Sequence, residues 1–290
     1  MLDRIIGHQK IVDVLRRQRE NGRGAHAYLF VGPEGVGRST VVEGLMEGSR
    51  VEGSKSLGHS TIRRLADEKT GKLKSAISVD QIRELRDTLA HTSLGGGTKS
   101  VFVEEADWLN AAAANALLKT LEEPRGDTLI ILRAPTVESV PATIASRCQV
   151  IRFGFVPVET IAASLVRRGL DKEEAAQLAR MSNGCPGIAI RLLTDGSYRA
   201  ERETAASAFH AIMAASLPKR LGLVASMLPK TEADKATALE KILDAWEEAA
   251  RQKMLAGDAR YVAVLDRLRE SRDAMEYNVN PQLALEHVVI

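Results

Sequence analysis

The sequence predicts an α/β domain, a parallel sheet flanked by helices around a glycine-rich loop, followed by a chain that is entirely helical. Three observations carry this. Tyr28-Leu-Phe-Val runs into Gly32-Pro-Glu-Gly-Val-Gly-Arg-Ser-Thr40, an apolar strand feeding a glycine-rich turn that opens a helix. Short apolar runs then alternate with amphipathic segments as far as Phe153, as a parallel sheet requires. Beyond Phe153 only helical periodicity remains. The expected boundaries are 1–155 for the α/β domain, 156–196 for a small helical unit and 197–290 for a helical bundle.

Ile5 to Gly22 reads as an opening helix, with Ile11, Val14, Leu15 and Gln18 at helical spacing and Gly22 as a left-handed cap. Ala27–Val31 is a buried strand. The helix after Gly37 is amphipathic through Val41, Val42 and Leu45, and Gly44 and Gly48 weaken it. Glu47 to Gly58, rich in glycine, serine and charge, reads as a loop, and Thr61–Leu65 as a short strand. Ser78 and Gln81 form a capping box before a helix carrying Ile82, Leu85 and Leu89, and Gly95-Gly96-Gly97 breaks the chain beyond it. Val101-Phe102-Val103 is the next buried strand. Asn110 caps an alanine-rich helix through Leu117, Leu118 and Leu121, stopped by Pro124. Thr128–Leu132 and Val150–Phe153 are further strands, with a short helix begun near Pro141 between them. Later helices are expected at about 159–168, 171–182, 198–215, 218–228, 231–256, 258–275 and 281–289. The segment 231–256 sets Leu239, Ile242, Leu243, Trp246 and Ala250 on one face.

A chain of 290 residues with 44% hydrophobic content supports two or three domains. A net charge of +2 makes no case for a strongly basic nucleic-acid binder, and 4% aromatic content argues against a broad base-stacking surface. Cys148 and Cys185 stand in different motifs and are expected to stay reduced. No apolar run approaches the roughly 18–20 residues of a membrane span, and Met-Leu-Asp-Arg lacks the apolar core of a secretory signal. A cytoplasmic protein without a membrane partner is expected.

The turn matches G-x-x-x-x-G-K-[ST] at every place but position 38. Gly32 and Gly37 hold the two glycine positions, with Gly35 between them, where backbone N–H groups turn toward an anion. Ser39, followed by Thr40, stands where a hydroxyl would ligate Mg²⁺. Arg38 replaces the lysine; it keeps the charge, but a planar guanidinium is bulkier than a point-like ammonium. A second candidate is Val101-Phe-Val-Glu104-Glu105. In ATPases with this loop such a strand ends in Asp, which positions Mg²⁺, often followed by a Glu that orients water. Glu104 at the Asp position moves the carboxylate by about 1.5 Å, which metal positioning tolerates poorly. Glu104 and Glu105 read equally well as a plain strand end. Trp108 and Trp246 read as packing residues.

Two further stretches carry a family resemblance. Asn110-Ala-Ala-Ala-Ala-Asn-Ala-Leu-Leu-Lys-Thr-Leu-Glu-Glu-Pro124 and Pro141-Ala-Thr-Ile-Ala-Ser-Arg-Cys-Gln149 resemble the clamp-loader branch of the AAA+ ATPases. The likeness runs from Ile6-Gly7-His8 to Tyr277-Asn-Val-Asn-Pro-Gln-Leu283. It implies an α/β P-loop AAA+ module, a small helical lid and an all-α C-terminal collar. It also implies partners: the other clamp-loader subunits (tau/gamma and delta) in a five-subunit ring, with the sliding clamp and primer–template DNA met through the assembled complex. In that family ATP sits between neighbouring modules, and the arginine of Ser-Arg-Cys acts in trans on the γ-phosphate held next door. Carried over, that arginine finger is Arg147, preceded by Ser146. An arginine in a local ion pair is the plainer alternative.

The departures from the family pattern point to its non-hydrolysing members. Arg38 and Glu104 replace the lysine and the metal-binding Asp, Gly187 stands at the sensor-2 arginine, and Arg133-Ala134-Pro135 follows the strand where a polar sensor-1 residue belongs. The expectation is a subunit of the replicative DNA polymerase clamp loader that holds ATP and Mg²⁺ weakly at most, or only at the interface with a neighbour. The four-cysteine zinc module that many such subunits carry is missing, since no cysteine lies between Glu47 and His59. No zinc is expected, Gly48–Gly58 resembles a shortened remnant, and His59 reads as a surface histidine. Arg83, Arg86 and Lys99 are the nearest candidates for DNA contact, a solvated basic face being the alternative. A competing reading is an ATP-hydrolysing motor subunit of the same loader. A P-loop kinase leaves Ser-Arg-Cys and the helical C-terminal third unexplained.

Overall fold

An apolar run can be buried on both faces only where helices cover both sides of its sheet. Five strands pair side by side: β1 (Ala27–Val31), β2 (His59–Ile62), β3 (Lys99–Val103), β4 (Thr128–Ala134) and β5 (Gln149–Arg152), with the partly exposed β2 and β5 at the edges. The computed structural model describes residues 5–22, 24–47, 59–67, 71, 73–91, 99–124, 126–229, 231–275 and 279–290. The expected loop at 48–58, the Gly95–Gly97 break and Tyr277-Asn278 lie outside them. Contacts divide the chain into two compact units, Met1–Ala189 and Ile190–Ile290.

In the first unit the strands are all parallel, in the order β2-β3-β4-β1-β5. Every residue of β1 and β3 is buried. Alternate side chains enter opposite layers. Leu29, Val31, Val101 and Val103 join Leu85, Leu117 and Leu121 of α3 (Val79–His91) and α4 (Ala111–Glu122). Tyr28, Phe30 and Phe102 join Val12, Leu15, Val41 and Val42 of α1 (Gln9–Glu20) and α2 (Arg38–Glu47). Asn110 caps α4 as expected, its Oδ1 accepting from the Ala113 N–H at 2.8 Å. Gln81 Oε1 accepts from the Ser78 N–H at 3.1 Å at the start of α3. The unit continues through α5 (Ala142–Ala145), α6 (Val158–Arg167), α7 (Lys172–Met181) and the start of α8 (Pro186–Thr194).

Several expectations need correction. The buried stripe of α1 is Val12 and Leu15, while Val14 is 48% exposed, because the sheet meets the helix on a face rotated from the one periodicity favours. Glu47 closes α2 rather than opening a loop. β2 begins at His59 and ends at Ile62, opposite Val103, because it can run only as far as its one partner, β3. His59 is therefore half-buried, opposite Ser100, rather than on the surface. β4 runs two residues past Leu132, to Ala134, in register with β1. α8 is a helix that Pro186-Gly187 hides, since that pair reads as a turn although proline suits a first helical position.

The second unit holds α9 (Gly196–Ala214), α10 (Leu217–Ala225), α11 (Glu232–Leu255), α12 (Arg260–Met275) and α13 (Pro281–Val289). Leu239, Ile242, Leu243, Trp246 and Ala250 are all buried, as the periodicity of this segment demands. Trp246 packs against Phe209, ring centroids 5.3 Å apart, at the centre of this helical core. Among the described residues, no helix is long and apolar enough to cross a membrane.

Candidate functional site

In a parallel sheet the carboxyl ends of the strands gather on one edge, and the loops there build the site. The turn after β1 lies on that edge, with the residues that follow β3 and β4 beside it. Gly32 has φ +145°, and a Cβ there would come within 2.2 Å of the Phe153 carbonyl oxygen. Gly32→Ala is expected to cost about 3 kcal/mol or more, from a clash with backbone added to strain. A urea-denaturation midpoint equal to that of the parent would refute this. Gly35 has φ +77°, and its carbonyl accepts from the Gly187 N–H at 2.7 Å. A Cβ at Gly187 would lie 2.9 Å from that oxygen, so the loop and the first turn of α8 meet backbone to backbone. The position expected for a sensor-2 arginine thus touches the loop but has no room for a side chain. His8 Nε2 donates to the Val36 carbonyl at 3.0 Å, and burial holds the imidazole below its ordinary pKa.

The interior of the loop is already cationic. Arg38 is buried, and its Nη1 donates to the Ala134 carbonyl at the end of β4. Burial, then the nearby Arg133 charge, lower its pKa to about 10, which leaves it a cation at neutral pH. Arg133 Nη1 donates to Ser39 Oγ at 2.6 Å, and its Nε donates to the Glu104 carbonyl at 2.8 Å. Glu105 is engaged elsewhere: Arg64 Nη2 and Nε donate to it at 2.8 and 3.2 Å, and the Arg64 backbone N–H at 3.1 Å. Those hydrogen bonds hold its carboxyl below the usual range. Asp107 is pushed up by burial. Thr40 is exposed.

These residues do not fit a magnesium-bound triphosphate. The hydroxyl that would ligate Mg²⁺ accepts a hydrogen bond from a guanidinium 2.6 Å away, whose charge repels a metal ion brought to that oxygen. The arginine in the lysine's place is turned onto a backbone carbonyl. The glutamate that would orient water is neutralised by Arg64.

Arg147 lies on the other edge. It follows α5 and precedes β5, and Gln149 at the start of β5 pairs with Tyr28 near the start of β1. The loop of Gly32–Thr40 leaves the opposite end of β1, and a four-residue strand spans about 13 Å. Arg147 therefore cannot serve its own chain's loop along this sheet. Its Nε donates to Glu122 Oε1 at 2.7 Å, Nη2 pairs with the same carboxylate, and Nη1 donates to the Thr143 carbonyl at 2.9 Å. The local ion pair left open as the alternative is thus present, on an arginine whose side chain is 35% exposed. Ser146 Oγ donates to the Thr143 carbonyl at 3.2 Å and closes the end of α5. Burial pushes the Cys148 thiol up to about 12, so it stays protonated.

The family model described as DNA polymerase III, delta subunit, matches residues 7–156, just over half of the chain. The chain belongs to that family. The DNA polymerase III subunit delta' of Escherichia coli is 35% identical over 197 residues, which is 63% of this chain and 58% of that protein. That of Haemophilus influenzae is 41% identical over 122 residues, 41% of this chain and 37% of that protein. The matched part therefore spans less than two thirds of either relative. Subunit tau of Escherichia coli is 26% identical over 261 residues, 87% of this chain and 39% of that protein. Among solved structures, a DNA polymerase III gamma subunit-related protein of Thermotoga maritima superposes with a TM-score of 0.56 at 17% identity, covering 96% of this chain and 97% of that one. RuvB of Thermotoga maritima superposes at 0.53 and 17%, covering 87% and 89%. These likenesses establish the AAA+ fold.

In this delta-family chain two surface expectations change. Lys99 is no DNA contact: it is buried, and its Nζ donates to the Leu89 carbonyl at 2.6 Å. Arg83 and Arg86 remain exposed on α3, Arg83 bonded to Asp80 at 3.1 Å. Trp108 is not a packing residue but 41% exposed, with the Arg64 guanidinium 3.8 Å from its ring centroid. Arg64 carries no local signal, since its partner Glu105 is 41 residues away. Arg133 was visible as a departure from pattern, but its bond to Ser39 was not.

Proposed function

We propose that this chain is a clamp-loader subunit of DNA polymerase III that does not itself hydrolyse ATP and lends Arg147 to ATP bound on a neighbouring subunit. The observation that carries this is Arg133 hydrogen-bonded to Ser39, at the one hydroxyl a nucleotide-bound Mg²⁺ would need. Arg147, on the opposite edge of the sheet, is supported by Glu122 and partly open to solvent. Its partners are then tau/gamma and delta subunits in a five-membered ring, with the helices of 197–290 as the collar. The sliding clamp and primer–template DNA are engaged through the assembly, and Arg83 and Arg86 are the side chains offered to the DNA backbone.

A second reading, an ATP-hydrolysing motor subunit, is favoured by the length of the match to tau and by the retained glycine geometry of the loop. Nucleotide titration of the purified chain separates the two. A ligand at 100 times its Kd stabilises the folded state by about 2.7 kcal/mol. Millimolar Mg-ATP is expected to leave the unfolding temperature unchanged. A concentration-dependent rise, abolished by Arg38→Ala, would favour the motor.

A further inference from the structure

Helix electrostatics disfavour an acid in the last turn, where the carbonyl ends already present partial negative charge. Yet α4 ends on Glu122, with Glu123 as its cap. Glu122 is compensated from outside its helix. Its Oε1 accepts from Arg147 Nε at 2.7 Å, and Nη2 of the same guanidinium faces the same carboxylate. The third hold is the Thr143 carbonyl, which takes Nη1 at 2.9 Å. A bond to the side-chain nitrogen and one to each terminal nitrogen fix both the position and the plane of the guanidinium.

Exposed ion pairs contribute little to stability, and the two side chains are 35% and 47% exposed. Fold stability therefore gives little reason to keep this pair. Orientation gives a better one. An arginine carries five N–H bonds. Nε and Nη2 are directed to Glu122, and Nη1 serves the Thr143 carbonyl and, at 3.5 Å, Ser146 Oγ, which leaves the second N–H of Nη2 for an outside acceptor. An unsupported arginine samples many rotamers, and all but one must be given up when it meets a phosphate. One already held in place gives up fewer.

We propose that Glu122 is a positioning residue for Arg147, fixing the guanidinium so that the open side of Nη2 meets a triphosphate on a neighbouring subunit. This rests on the finger reading above. Glu122 touches no substrate and acts only through Arg147.

The test uses the assembled clamp-loader complex carrying Glu122→Ala, Glu122→Gln, Arg147→Ala or the Glu122→Ala/Arg147→Ala pair. Glu122→Ala is expected to lower kcat for ATP about 10- to 100-fold, the scale of a misplaced catalytic group, with KM nearly unchanged. Glu122→Gln, which keeps an acceptor but not the charge, should fall between it and the parent. The pair should be no slower than Arg147→Ala alone, because nothing is left to position. The unfolding temperature of the purified chain should not move. A Glu122→Ala complex at the parental kcat or above overturns the proposal. So does an equal loss on the Arg147→Ala background, which would mark a structural effect. Parental activity in Arg147→Ala would sink the finger reading itself, a separate outcome.

Discussion

Replacing Arg147 by alanine is expected to lower hydrolysis at the ATP site it serves in the assembled complex about 10³- to 10⁵-fold, the range over which arginine fingers act. The expectation rests on position and chemistry together. Arg147 precedes β5 while the phosphate loop follows β1, so strand direction carries the two to opposite edges of one sheet. A guanidinium presents planar, charged N–H donors to phosphate oxygens, and charge develops on those oxygens in the transition state. The loss should fall on kcat more than on KM, because an interaction made only in the transition state does not weaken ground-state binding. Arg147→Lys should restore little, since an ammonium keeps the charge but loses the planar fork. The isolated chain should stay folded, because the pair with Glu122 is partly exposed and worth at most about 1 kcal/mol. Steady-state ATPase of the complex with clamp and primed DNA checks this. Hydrolysis at the parental rate would exclude a finger role.

Arg202→Ala should strongly destabilise the helical unit, costing about 3–5 kcal/mol. Arg202 of α9 and Glu248 of α11 are each more than nine-tenths buried and pair at 3.2 Å. Arg202 Nη1 also donates to the Tyr198 hydroxyl at 2.9 Å, and Gln252 Nε2 donates to Glu248 at 3.0 Å. Removing the arginine strands a carboxylate in an apolar core. Burial already pushes the Glu248 carboxyl up to about 7, against the pull of Arg202. A carboxyl raised on folding stabilises most fully below the ordinary carboxylate range, and that contribution is lost as pH rises through 7. The unit should therefore lose on the order of 3 kcal/mol between about pH 4.5 and pH 8, and Glu248→Gln should flatten the dependence. Trp246 fluorescence in urea, in a Trp108→Phe background, follows this core by itself. Equal midpoints at both pH values would contradict the assignment. Replacing both charges by apolar residues of similar size should be neutral or stabilising, since the pair returns little beyond its own desolvation.

Most of the architecture was legible because it is written locally. The apolar strands, the glycine spacing, the Asn110 cap and the face of α11 each depend on residues within a turn or two of one another, and each is found where expected. The failures are cases where a remote partner decides. Val14 turned outward and β2 shifted because the sheet, not helical period or composition, set which residues were covered. Lys99 reads as a surface cation, yet it opens a buried strand and spends its ammonium on the Leu89 carbonyl.

The sequence by itself determined that a phosphate loop follows β1, that its lysine is an arginine, and that an intact Ser146-Arg147-Cys148 precedes β5. Contiguous residues state all three. Only the tertiary structure decided what the guanidinium groups do. Arg133 reaches Ser39 across 94 positions, and Arg64 reaches Glu105 across 41. Arg147, in the turn after α5, settles on Glu122 at the end of α4. Those pairings follow from the order and register of the strands, which no local pattern encodes. They are what place a guanidinium on the hydroxyl at the Mg²⁺-ligand position of this loop.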